Sequence, residues 1–159
     1  PKYYDGVKDL IRSFFILETL PRRPSSDVVM HVRLGDYADP KLRSIIKPDW
    51  YGRILKGIKF NSSTHRLFIV CENKNDPYLK KFLYYRPEII SQSAAEDFHF
   101  IRSFSTIICS NSSYCWWAAW LSNASRIFTF SHWTREPHHY KIRLAFMRGA
   151  TPVMGNWIS

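Results

Sequence analysis

The feature that most limits what this chain can fold into is a repeated alternation. Short apolar runs are each broken by polar residues and then followed by a stretch with helical spacing. Residues 27–33, 66–71, 105–109 and 126–130 are rich in Val, Ile, Leu and Phe, and each is shorter than a stable helix. Residues 88–90 form a further short strand-like segment. Between them, 49–60 reads as a helix starting after Pro48 with Asp49 as its cap, and 78–85, 94–103 and 112–122 read as further helices. Ahead of them, 3–20 carries apolar residues at 7, 10, 11, 14, 15 and 17, which is one helical stripe. Alternating strands and helices predict an α/β, Rossmann-like parallel sheet with helices on both faces. At 159 residues the chain fits one domain, 1–159, able to bury a sizeable core. Beyond Trp133 the periodicity fades, and 137–159 receive no role.

Within that frame the richest stretch is His31-Val32-Arg33-Leu34-Gly35-Asp36-Tyr37, directly after the apolar Val28-Val29-Met30. In open α/β sheets ligands bind beyond the carboxyl ends of the strands. An Arg there offers a planar fork of donors suited to phosphate oxygens. Gly35 lets the backbone turn tightly beside a ligand. The same residues also suit an ordinary turn, with Asp36 as its cap or as the ion-pair partner of Arg33.

A second signal lies about 75 residues later, after strand 105–109. Ser110, Asn111, Ser112 and Ser113 are helix-capping types, and Tyr114-Cys115-Trp116-Trp117-Ala118-Ala119-Trp120-Leu121 continues as an aromatic helix. Strand, polar cap and helix aim free backbone N–H groups at an anion, with the helix dipole assisting. The tryptophans themselves read as core.

Together the two motifs resemble the signatures of α-1,2-fucosyltransferases. The carrying residues are His31-x-Arg33-x-Gly35-Asp36-Tyr37 and Ser110-Asn111-Ser112-Ser113-Tyr114-x-Trp116-Trp117-Ala118-Ala119-Trp120-Leu121, with Ile127 to Trp133 agreeing. The resemblance implies the C-terminal, donor-binding half of a GT-B glycosyltransferase that uses GDP-fucose, inverts the anomeric centre and needs no metal. It further implies a glycan acceptor and an N-terminal acceptor domain, so the chain is expected to belong to a longer protein. Arg33 would hold the leaving diphosphate, His31 would sit beside the nucleotide, and Ser112 and Ser113 would bind phosphate at the helix start. The pair Glu96-Asp97 is similar to the family's acidic position for guanine, since a carboxylate accepts two parallel N–H bonds. The same two acids also suit a helix first turn without any ligand. One departure stands out: the family carries two consecutive arginines, and the second position here is Leu34.

Other assignments rest on the residues alone. Asp36 shares a turn with Arg33 and is the in-chain candidate for the base that deprotonates an acceptor hydroxyl. Glu72 and Asn73 follow strand 66–71 at the same sheet edge and are placed to reach a ribose or sugar. No Asp-x-Asp, His-Glu-x-x-His, zinc-spaced Cys/His, Gly-x-Gly-x-x-Gly or Walker sequence occurs.

The 23 Lys and Arg against 13 Asp and Glu give a net charge of +10, which calls for an anionic partner. The positive residues are scattered rather than gathered into the dense run of a nucleic-acid reader, so a polyanion-binding domain ranks behind a nucleotide site. A nucleotide-sugar module without catalysis is the other alternative. Cys71, Cys109 and Cys115 form an odd set inside apolar segments, which favours a reducing compartment over a disulfide framework. Asn61, Asn111 and Asn123 open Asn-x-Ser sequons, of which Asn111 falls in the expected ligand site. No stretch approaches the ~20 apolar residues of a membrane span.

Overall fold

The computed structural model describes residues 6–14, 21–38, 45–130 and 150–153. Its elements are α1 (Lys8–Phe14), β1 (Val28–His31), α2 (Pro48–Gly57), β2 (Leu67–Val70), β3 (Glu88–Ile90), α3 (Ala94–Arg102), β4 (Thr106–Cys109), α4 (Ser113–Leu121), β5 (Arg126–Phe130) and β6 (Ala150–Val153). Two 3-10 segments, Gly35–Ala38 and Pro77–Tyr85, complete the set. The strands form one six-stranded sheet in the order β3-β2-β1-β4-β5-β6. Every neighbouring pair is parallel, and the register centres on Met30, which lies opposite Ile69 and Ile108. This is an α/β Rossmann-like fold, as the alternation predicts.

Period-two alternation in β1 divides the core. Val28 and Met30, with Val32 and Leu34 beyond the strand, join Trp50, Tyr51, Ile54 and Leu55 of α2 in one apolar layer. Val29 faces the other layer, with Ile107, Ile101 of α3, and Cys115, Ala118, Ala119 and Leu121 of α4. Both faces of β1 are therefore sealed by apolar side chains, and all four of its residues are buried. Trp116 and Trp120 lie stacked inside the second layer, 6.2 Å between ring centroids, which bears out their reading as core. The second layer also anchors Arg23, whose guanidinium lies 4.8 Å from the Phe100 ring centroid.

Element ends differ from the sequence expectation in three places. The N-cap of α2 is Lys47 rather than Asp49; Pro48 opens the helix and Asp49 falls in its first turn, where its charge still favours the dipole. The segment over Pro77–Tyr85 is a 3-10 helix, started by Asp76, whose side chain accepts from the Tyr78 N–H, and ended by Arg86 at φ 51°. The last strand, β6, falls where no element is expected, because Ala150-Thr151-Pro152-Val153 is short and contains proline. Among the described residues it pairs with β5 alone, an edge position where a missing N–H is tolerated. Residues 3–5 and 15–20 of the expected first helix, and the Trp133 feature, lie outside the described residues. Among the described residues no helix is long and apolar enough to cross a membrane.

Candidate functional site

In this strand order the chain reverses direction across the sheet between β1 and β4, whose ladder ends at Met30 and Ile108, and it is at such a switch point, beyond the strand ends, that open α/β sheets form their ligand crevice. His31 ends β1 and Ser110 follows β4, and their side chains meet across that gap at 2.7 Å, Nδ1 to Oγ. His31 is almost wholly buried, and Tyr51 donates its hydroxyl to the His31 carbonyl at 3.3 Å. Burial first, and the Arg33 charge second, pull the imidazole pKa down to about 3. The ring is therefore neutral at ordinary pH and serves as a fixed hydrogen-bonding group.

Arg33 lies one side-chain period beyond His31 and is 30% exposed at its side chain. Its guanidinium is held by two carboxylates: Nη2 reaches Asp36 Oδ1 at 2.8 Å and Nη1 reaches Glu72 Oε1 at 2.6 Å. The same guanidinium sits 5.3 Å from the ring centroid of Tyr37, whose hydroxyl donates to the Asn111 carbonyl at 3.1 Å. Through Tyr37, the turn after β1 is thus tied to the loop that opens α4. Glu72 closes the third side, since its Oε2 accepts the Leu34 N–H at 3.0 Å. Leu34 itself points the other way, 1% exposed in the first apolar layer.

The helix start contributes from the β4 side. Ser112 is the N-cap of α4, and its carbonyl accepts the Trp116 N–H at 3.0 Å, but its hydroxyl makes no capping bond. Ser113 opens the helix and is exposed. The first-turn amides have no partner within their own helix, as at any helix start. Asn111 is buried, which removes its sequon from enzymatic reach, whereas Asn61 is exposed. Tyr114 completes this wall, with its ring 5.7 Å from that of His31 and its hydroxyl donating to the Ala94 carbonyl at the start of α3.

Of the residues expected to act, His31, Arg33, Asp36, Glu72 and, through Tyr37, Asn111 are connected, with Ser112 and Ser113 next in the chain. Two others have local work. Asp97 is 7% exposed, and its carboxylate accepts from the Gln92 backbone N–H at 3.2 Å and from the Gln92 amide at 3.3 Å. Its neighbour Glu96 closes a reciprocal capping box with Ser93, whose bonds hold the Glu96 carboxyl below its usual range. Asn73 shapes the loop after β2, with its side-chain oxygen accepting the Asn75 N–H at 2.9 Å. Asp36 is the ion-pair partner of Arg33, the structural alternative that its turn position allows.

Sequence reasoning misses Ser110, Tyr37 and Tyr114 as site residues. Its position as the first polar residue past β4, the strand paired beside β1, is the signal that finds Ser110. The three cysteines are buried free thiols, and burial pushes the Cys71 thiol up to about 11. Among the described residues no group of three His, Cys, Asp or Glu side chains is arranged to hold a metal ion.

The crevice can therefore offer an anion a guanidinium, a neutral imidazole–hydroxyl pair and a helix start, against two carboxylates already in place. No protein-family model, no curated protein and no solved structure matches the chain.

Proposed function

We propose that this chain is the donor-binding half of an inverting glycosyltransferase, an α-1,2-fucosyltransferase that moves fucose from GDP-fucose to a galactose-type acceptor. The observation that carries the reading is the His31–Ser110 bond at 2.7 Å. It joins the strand end bearing Arg33 to the loop that starts α4, so two anion-favouring features border one crevice. Its support from sequence is the paired motif described above.

In this reading Arg33 and the first-turn amides of α4 offset the negative charge that grows on the departing diphosphate, and the hydroxyls of Ser112 and Ser113 add donors. Groups fixed before the reaction need no rearrangement as charge develops, and in many enzymes such preorganised donors supply most of the rate enhancement. Asp97 takes guanine N1–H and N2–H by exchanging its bonds to Gln92 for them. Asn73 borders the sugar end, and Asp36, released when Arg33 turns to phosphate, accepts the acceptor's proton. The acceptor contacts come from a further domain of a longer polypeptide.

One observation favours a module that binds without transferring. Asp36, the candidate base, is engaged as the ion-pair partner of Arg33 at 2.8 Å. Calorimetry with GDP, UDP and a single-stranded oligonucleotide tests the nucleotide reading. GDP is expected to bind and UDP not, with Arg33→Ala weakening GDP by about a hundredfold. Oligonucleotide binding without GDP binding overturns the reading in favour of a polyanion-binding domain. Fucose transfer from GDP-fucose to galactosides by the longer polypeptide separates the enzyme from the binding module.

A further inference from the structure

Glu72 occupies a position that its chemistry makes unusual. It stands two residues past the end of β2, beside the turn that follows β1. One carboxylate oxygen takes the Arg33 Nη1 at 2.6 Å and the other takes the Leu34 N–H at 3.0 Å. The turn lies within ordinary contact range of it: a Cβ added at Gly35 would lie 3.8 Å from the Glu72 carboxyl carbon. A guanidinium and a backbone N–H converging on two oxygens of one anion is the donor set that phosphate oxygens take. Here that set is filled by the chain's own carboxylate.

We propose that Glu72 is an internal competitor for the anion position formed by Arg33 and the Leu34 N–H, displaced by a diphosphate and not by singly charged anions. The inference rests on the reading of the crevice as a nucleotide-diphosphate site and adds what selects the ligand there. A singly charged anion entering the position replaces one carboxylate with its equal and gains little. A diphosphate brings more charge and more acceptor oxygens, so it offsets the release of Glu72 to solvent, for which the side chain is already one-third exposed. Were Glu72 merely a brace that orients Arg33, its loss would weaken anion binding. The two roles therefore predict opposite signs.

Calorimetry with inorganic pyrophosphate, acetate and GDP on the wild type, on Glu72→Gln and on the double variant Arg33→Ala/Glu72→Gln reads that sign. Glutamine keeps an acceptor for the Leu34 N–H while removing the charge. Glu72→Gln is expected to bind pyrophosphate about tenfold more tightly than the wild type, and the double variant to lose the gain. Acetate is expected to remain weak on the wild type. Unchanged or weaker pyrophosphate binding by Glu72→Gln overturns the inference, as does a lack of binding to both proteins. If GDP binds the wild type but Glu72→Gln gains nothing, the competitor role fails and the nucleotide site stands. If pyrophosphate gains but GDP binds no better than pyrophosphate, the competitor role stands and the guanine-nucleotide reading fails. A titration of the wild type followed by amide NMR covers a variant that does not fold. The Leu34 N–H resonance should move with pyrophosphate saturation, and a stationary Leu34 overturns the inference.

Discussion

Leu34→Arg, which would give this turn the two consecutive arginines of the motif it resembles, is expected to destabilise this protein by about 4 kcal/mol. The leucine side chain is 1% exposed and packs in the layer that contains Trp50, Ile54 and Phe82. Replacing it removes that packing and brings a cation into an apolar layer. An unpaired buried charge costs several kcal/mol even after relaxation. The Glu72 carboxylate already serves Arg33 and the Leu34 N–H, so a second guanidinium on that side would compete for a filled acceptor. Urea unfolding measures the effect through the midpoint at unchanged slope. A variant as stable as the wild type would show that the position accommodates a charged head, and that Leu34 is a replaceable filler.

Acid should unfold the protein along a path set partly by His31. Its folded pKa is depressed to about 3, below the unfolded value near 6.5, so the unfolded chain takes up the proton first. Stability contributed by the neutral ring is therefore complete above about pH 6.5 and falls as the pH drops towards the folded value, at about 1.4 kcal/mol per unit. By pH 4 the loss from this one group reaches about 3 kcal/mol. Glu96 adds in the same direction, since its lowered carboxyl gives stability that acid removes. Urea midpoints between pH 7 and 4, for the wild type and His31→Gln, isolate the histidine contribution as the difference in slope. Equal slopes would mean that the imidazole is protonated within the fold. Its proton resonances give a second check, because they should stay unshifted down to pH 4.

How much of this was legible in the sequence depends on the range of the interaction. β1, β2 and β4 were readable because each is a local run of aliphatic residues with polar breaks. Both flanking layers follow once the alternation is seen. Lys47 displaces Asp49 as the cap of α2 because Pro48 sets the first helical residue, a choice made by a single neighbour. β6 was not legible: four residues including a proline carry no pattern of their own, and only pairing with β5 makes them a strand. The site divides the same way. The turn bearing His31 and Arg33 was legible because it is contiguous and chemically dense. The hold of Glu72 on Arg33 was not, because it joins residues far apart in the chain and appears only when β2 lies beside β1. Leu34 reads as a gap in a motif, whereas the fold uses it as packing.

The division of β1 and its extension between two layers carries a consequence for how this region can change. His31 meets Ser110 while Leu34 enters the opposite packing, so ligand chemistry and cohesion share one odd–even count along the backbone. Deleting a single residue from this strand would exchange the two sets together, sending histidine into grease and leucine into the crevice. A substitution here alters one of the two sets, whereas a change in the length of the strand costs both at once.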